Sequence, residues 1–190
     1  MKIHFKKGFT LVELLVAIAI MVIISGIILA NYRTGQKQQT LKAEAQKLTS
    51  TLRQAQNMAM AQAEDPKNPG QVPPYGYGVY AQTDATLKSQ TYFLLSNYGT
   101  DDLIDDATIS ARQIELVDLS SKNINITWPK LNSAFIFRPP QAVPIKLWMG
   151  ASTSRGNINS GTCTIILSSP NLTQTFSVKV NLSTGQISLE

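Results

Sequence analysis

Histidine is all but missing from this 190-residue chain. The only one is His4. Cysteine is just as scarce: Cys163 stands alone and cannot form an internal disulfide. It lies in Thr162-Cys163-Thr164-Ile165-Ile166-Leu167, a strand-like run, and reads as a small buried hydrophobe. A bridge to another chain is the alternative. No glycine-rich phosphate loop occurs. No proline precedes Pro66, and no charged residue lies between Glu13 and Arg33. His4 sits in the short leader described below, so Ser-His and Cys-His nucleophilic pairs and histidine-based zinc sites are not expected. These absences leave no sign of an enzyme and call for no cofactor and no metal.

What is present concentrates at the start. Lys2, Lys6 and Lys7 make a short basic leader that ends in Gly8. An apolar run follows, interrupted once by Glu13. Its membrane-helix residues are Leu14, Leu15, Val16, Ile18, Ile20, Met21, Val22, Ile23, Ile24, Ile27, Ile28 and Leu29. From Leu14 to Ala30 the run is long enough to cross a hydrocarbon core of about 30 Å. A cleaved signal peptide would have a shorter apolar core and a small-x-small cut site. A plain signal anchor fits the length but leaves Glu13 unexplained, and acidic residues inside a membrane span are costly and functional by default. A third reading uses every feature. The chain is cut between Gly8 and Phe9 on the cytoplasmic side, and the apolar helix is kept.

Gly8-Phe9-Thr10-Leu11-Val12-Glu13 resembles the class III signal of type IV pilins and type II secretion pseudopilins. The resemblance implies that a prepilin peptidase cuts after Gly8 and methylates the new amine of Phe9. It makes Glu13 the assembly residue, whose carboxylate is stranded in lipid until it meets the amine of a neighbouring subunit. The implied partners are the peptidase, other pilin or pseudopilin subunits, an inner-membrane assembly platform and membrane lipid. The implied location is the inner membrane, single-pass with the N-terminus cytoplasmic, and then an extracellular or periplasmic filament. The close match covers about residues 1–35.

Beyond the apolar run, Leu41, Ala45, Leu48, Leu52, Ala55 and Ala59 recur at alternating spacings of four and three, which places them on one helix face. Glu64-Asp65-Pro66 and Pro69-Gly70 stop the helix. The expected helix therefore runs from Phe9 to about Ala63. From about residue 70 the period changes to two, in runs near 75–80, 91–95, 113–117, 123–128, 133–137, 163–167, 176–180 and 186–189. No helices intervene, so one antiparallel sheet is expected against the amphipathic half-helix. The fold class is α+β, a pilin-like arrangement. Its parts are a leader (1–8), a membrane and assembly half-helix (9–32), an amphipathic half-helix (33–64) and a β-rich head (70–190).

A looser resemblance lies in two places. Leu52-Arg53-Gln54-Ala55-Gln56-Asn57-Met58-Ala59 is similar to a segment of H-type minor pseudopilins and related minor pilins. Val178-x-Val180-x4-Gly185-x-Ile187 is similar to their closing strand-turn-strand. Two departures from major pilins stand beside these: no C-terminal disulfide and no proline in the membrane helix. The resemblance points to a structural subunit of a pilus, a secretion pseudopilus or a competence fibre.

The alternative is a DNA-binding minor pilin of natural transformation. Charge argues against it. Without the three leader lysines the chain carries fourteen basic and twelve acidic residues. The C-terminal stretch Ser183 to Glu190 has no cation, and Arg155 and Lys179 are the nearest ones. Phosphate affinity scales with such contacts. Asp101-Asp102-Leu103-Ile104-Asp105-Asp106 reads as a solvated loop, with calcium as the competing reading. Trp128, Trp148 and the tyrosines, at strand period, read as core, with a binding surface as the competing reading.

Overall fold

The computed structural model describes residues 9–81, 88–96, 113–129, 133–138, 144–149, 161–170 and 172–190, without the side chains at 27, 29–31, 133 and 144–149. Among the described residues one α-helix, α1, spans Leu11–Met60, and a short 3-10 helix spans Ser120–Lys122. Ten strands follow among the described residues: β1 Tyr77–Ala81, β2 Lys88–Ser89, β3 Thr91–Ser96, β4 Gln113–Asp118, β5 Asn125–Thr127, β6 Ser133–Phe137, β7 Pro144–Met149, β8 Thr162–Ser168, β9 Phe176–Asn181 and β10 Ile187–Leu189. The class is α+β and the described strand pairs are antiparallel. Two compact units divide the chain, Met1–Gln39 and Thr40–Glu190.

The helix stops at Met60 rather than near Ala63. The Gln62 amide bonds to the Ala59 carbonyl and the Ala63 amide to the Met58 carbonyl, with Gln62 at φ 47°. This is a Schellman ending with glutamine in the left-handed position usually held by glycine. The next residues are fixed by Asp65. Its buried carboxylate accepts from the Lys67 amide (3.0 Å), the Asn68 side chain (2.9 Å) and the Ser96 hydroxyl on β3 (3.0 Å). The Tyr77 hydroxyl on β1 donates to the Ala63 carbonyl at 2.8 Å. The turn after the helix is thus tied to two strands.

The strands form two sheets, not the single one expected. One has the order β4-β3-β1-β6-β7 and the other β10-β9-β8-β5-β2. The chain passes between the sheets repeatedly, one of the crossings being at Gln90, between β2 and β3. Later strands fill places beside earlier ones: β6 lies against β1, and β8 against β5. Such pairings join residues far apart in sequence and leave no local pattern. Gly78 sits where β1 meets β6, and a Cβ there would lie 2.6 Å from the Phe135 carbonyl oxygen. Only glycine allows that approach.

The core of Thr40–Glu190 lies between the sheets and the second half of α1. Leu41, Ala45, Leu48, Leu52, Ala55 and Ala59 are all fully buried there, with Val79, Phe135, Ile165 and Val178 among their company. Each leucine removed from water in this way contributes about 1.5–3 kcal/mol. Trp128 is buried beside Phe135, with ring centroids 5.6 Å apart. Cys163 is buried in the same cluster. Trp148 lies on β7, with its side chain outside the described residues. Around the edge, Glu44 pairs with Lys122, and Lys47 lies 3.7 Å from Glu115.

Candidate functional site

The residues that matter most sit where the chain enters α1. Phe9 and Thr10 are not helical, and Leu11 opens the helix. Phe9 is exposed. Gly8, on the other side of the expected cut, lies outside the described residues.

Thr10 and Glu13 cap one another. The Thr10 hydroxyl accepts from the Glu13 amide at 3.2 Å. The Glu13 carboxylate reaches back to the Thr10 amide at 2.9 Å and to its hydroxyl at 2.9 Å. This is a capping box, in which residues three apart satisfy amides that the first turn of a helix leaves free. The carboxylate also complements the positive end of the helix dipole. It has a partner within its own chain. Both of those bonds fall on one oxygen, Oε2. A carboxylate has about four lone-pair sites, so the group keeps acceptor capacity for an outside donor. Thr10 escaped the sequence reading as a functional residue, although a Thr-x-x-Glu spacing before an apolar run is itself the signal for this arrangement.

After Glu13 the helix shows its apolar side chains to solvent all round. Leu14, Leu15, Val16, Ile18, Ile20, Met21, Val22, Ile23, Ile24 and Ile28 are exposed, while the side chains of Ile27 and Leu29 lie outside the described residues. Among the described residues no helix is long and apolar enough to cross a membrane. The run read from Leu14 to Ala30 includes the undescribed side chains at 27, 29 and 30.

The two segments of looser resemblance meet in the head. Arg53 donates to the Ile187 carbonyl at 3.1 Å, and Gln56 to the Gly185 carbonyl at 3.1 Å. Asn181 builds the turn between them and β9, accepting from the Ser183 and Thr184 amides, and Gly185 takes φ 72°. Helix and closing hairpin therefore form one unit joined by side chain to backbone bonds.

Other candidates have simpler places. Lys179, one of the two cations nearest the C-terminal stretch, pairs with Glu190 at 2.5 Å. Arg155 and the Asp101–Asp106 cluster lie outside the described residues. Among the described residues no group of acidic, cysteine or histidine side chains is placed to hold a metal ion. An open polar groove of about 630 Å³ is lined by Lys88, Gln90, Asp118 and Asn125 among others. There the Ser120 amide and hydroxyl hold the Asp118 carboxyl below its usual range.

Comparison with known proteins gives one match. Residues 3–29 match the family described as the prokaryotic N-terminal methylation motif. The matched stretch covers Gly8, Phe9, Thr10 and Glu13, and supports a type IV pilin-like signal on a processed subunit. No curated protein and no solved structure matches the chain.

Proposed function

We propose that this chain is a minor pilin or pseudopilin, nearest the H type, of a type IV pilus or type II secretion-like filament. A prepilin peptidase cuts between Gly8 and Phe9 and methylates the amine of Phe9. The apolar half of α1 anchors the chain in the inner membrane with its N-terminus in the cytoplasm. The head is exported, and an assembly platform then moves the subunit into a filament. The observation that carries this reading is the capping box at the mouth of an exposed apolar helix, inside the matched motif.

The chemistry follows from that geometry. The bond to be cut lies ahead of the first helical residue, Leu11. Cleavage leaves a positive amine on Phe9, four residues before Glu13. Within one chain the carboxylate holds Thr10. Between chains it meets the amine of a neighbour. Two unit charges 4 Å apart attract by about 4 kcal/mol at an effective dielectric of 20. Desolvation takes back much of that. The pair therefore selects register, while the apolar side chains supply the packing between helices. A cap of this kind is worth about 1 kcal/mol, a smaller effect than losing one partner of a desolvated pair, which costs about 3–5 kcal/mol.

The difference gives the test. Filaments are sheared from cells and the subunit is measured against its membrane pool. Glu13→Ala and Glu13→Gln should both fall sharply, and Thr10→Val, which removes the hydroxyl of the cap, should fall little. Equal losses for Thr10→Val and Glu13→Ala would reduce Glu13 to a helix cap. Mass spectrometry of the mature chain should find methylated Phe9 at its start, and Gly8→Val should keep the leader. Intact Met1 on subunits within filaments would defeat the processing scheme.

A further inference from the structure

Between Glu13 and Glu44 the chain has no acidic residue and three basic ones, Arg33, Lys37 and Lys42. Arg33 and Lys37 are one turn apart on α1 and both are exposed. Neither forms an ion pair among the described residues, whereas Lys47 and Lys122 farther along the chain each face a glutamate. Tyr32, next to Arg33, is exposed to 66%. An aromatic and two exposed cations thus follow directly on the apolar run.

We infer that Tyr32, Arg33 and Lys37 form a clamp for anionic phospholipid headgroups on the exported side of the membrane. The inference rests on the membrane-anchored reading above and names the lipid that the anchor prefers. Height along the helix decides which residues take part. At about 1.5 Å per residue, Arg33 lies roughly 4–5 Å beyond Ala30 and Lys37 roughly 10 Å. The headgroup layer on each side is about 5–8 Å deep. Arg33 falls inside it, and Lys37 can bend its chain back toward it. Lys42, at roughly 18 Å, lies out of reach. Tyrosine at the headgroup level adds an amphipathic ring. A headgroup with net negative charge answers both cations, and a zwitterionic one answers them far less. Each basic side chain held at an anionic surface is worth about a fivefold preference. The clamp also fixes the helix in depth, and with it the height of Phe9 and Glu13, some 30 Å away at the same rise per residue.

The experiment uses the full chain in phosphatidylcholine vesicles holding a trace of spin-labelled phosphatidylglycerol or spin-labelled phosphatidylcholine. Electron spin resonance gives the fraction of each label immobilised by protein. The wild type should prefer phosphatidylglycerol by about 5- to 25-fold at low salt. Arg33→Gln with Lys37→Gln should remove most of the part of that preference which exceeds the leader lysines' own. The leader is common to all variants, so it cancels in the comparison. Lys42→Gln should match the wild type, and added salt should shrink the preference by screening. An unchanged double variant, or an equal loss in Lys42→Gln, would overturn the clamp. A double variant with normal lipid preference but poor filament incorporation would also overturn it, and would assign these cations to a protein neighbour. Flotation of the same samples separates the two levels. A chain that does not float with the vesicles defeats the membrane anchor and the clamp together, and a chain that floats without lipid preference defeats the clamp alone.

Discussion

Leu14 and Leu48 are the same residue on the same helix. One is 57% exposed and the other not at all. Their local structure is alike, so helix formation cannot explain the difference. What differs is the neighbourhood. Leu48 has two sheets to pack against, and every fourth or third residue around it joins the same face. Leu14 belongs to a stretch apolar on every side, which no single protein face could cover. A helix apolar all round belongs in lipid or in the middle of an assembly. In the described chain the apolar side chains of the first half of α1 are exposed, and those on the Leu41–Ala59 face of the second half are buried.

The strongest way to sharpen that contrast is to separate the halves. A chain beginning at Gln36 should be a soluble monomer with mixed helix and strand by circular dichroism. The full chain should need detergent. An insoluble head, or one that is mostly helical, would erase the distinction.

Single substitutions should then divide by half. Leu48→Ala should destabilise the isolated head by about 2–5 kcal/mol, read by urea denaturation. Ile20→Ala, in the full chain in detergent, should leave the head's melting temperature unchanged. Comparable effects from both would mean that the first half is packed on its own domain.

The junction between helix and closing hairpin should respond less. Arg53→Ala removes the donor to the Ile187 carbonyl. A hydrogen bond from a charged group contributes about 1.5–3 kcal/mol. The loss should therefore be at most about that, with hydrogen exchange speeding up first in β10. Uniform destabilisation without faster exchange at β10 would mean that this bond does not secure the hairpin.

The smallest expected effect depends on pH. Burial raises the pKa of the Tyr92 hydroxyl far above its ordinary value, and the nearby Glu44 and Glu115 add to the shift. The folded head then holds that proton more tightly than the unfolded chain does. This contribution is full below the unfolded value, about pH 10, and is lost as pH rises above it. Tyr92→Phe should flatten the alkaline fall in stability. An identical fall in the variant would show that Tyr92 does not cause it.

Sequence reading reached different depths in different places. The helix face from Leu41 to Ala59 was legible because its period is local, and so were the runs that became β1, β3, β4, β5, β6, β8, β9 and β10. Two strands were missed. β2 is only Lys88–Ser89, too short to show alternation, and β7 begins at Pro144, which reads as a breaker. The helix end was misplaced because Gln62, not glycine, takes the left-handed position. In the candidate site, Glu13 stood out as a charge among apolar residues. Thr10 did not, although its Thr-x-x-Glu spacing before an apolar run was there to be read.

By itself the sequence determined what depends on neighbours a few residues away: the N-terminal methylation motif, the apolar start of α1, its amphipathic second half, and the change from period 3.6 to period 2. Tertiary structure alone decided that the strands split into two sheets. It also decided that Asp65 ties the turn after the helix to β3, and that Arg53 and Gln56 hold the Gly185–Ile187 hairpin. Each of these joins groups far apart along the chain. A short-range pattern can say that a residue is apolar or able to donate a hydrogen bond, but not which distant backbone will be there to meet it.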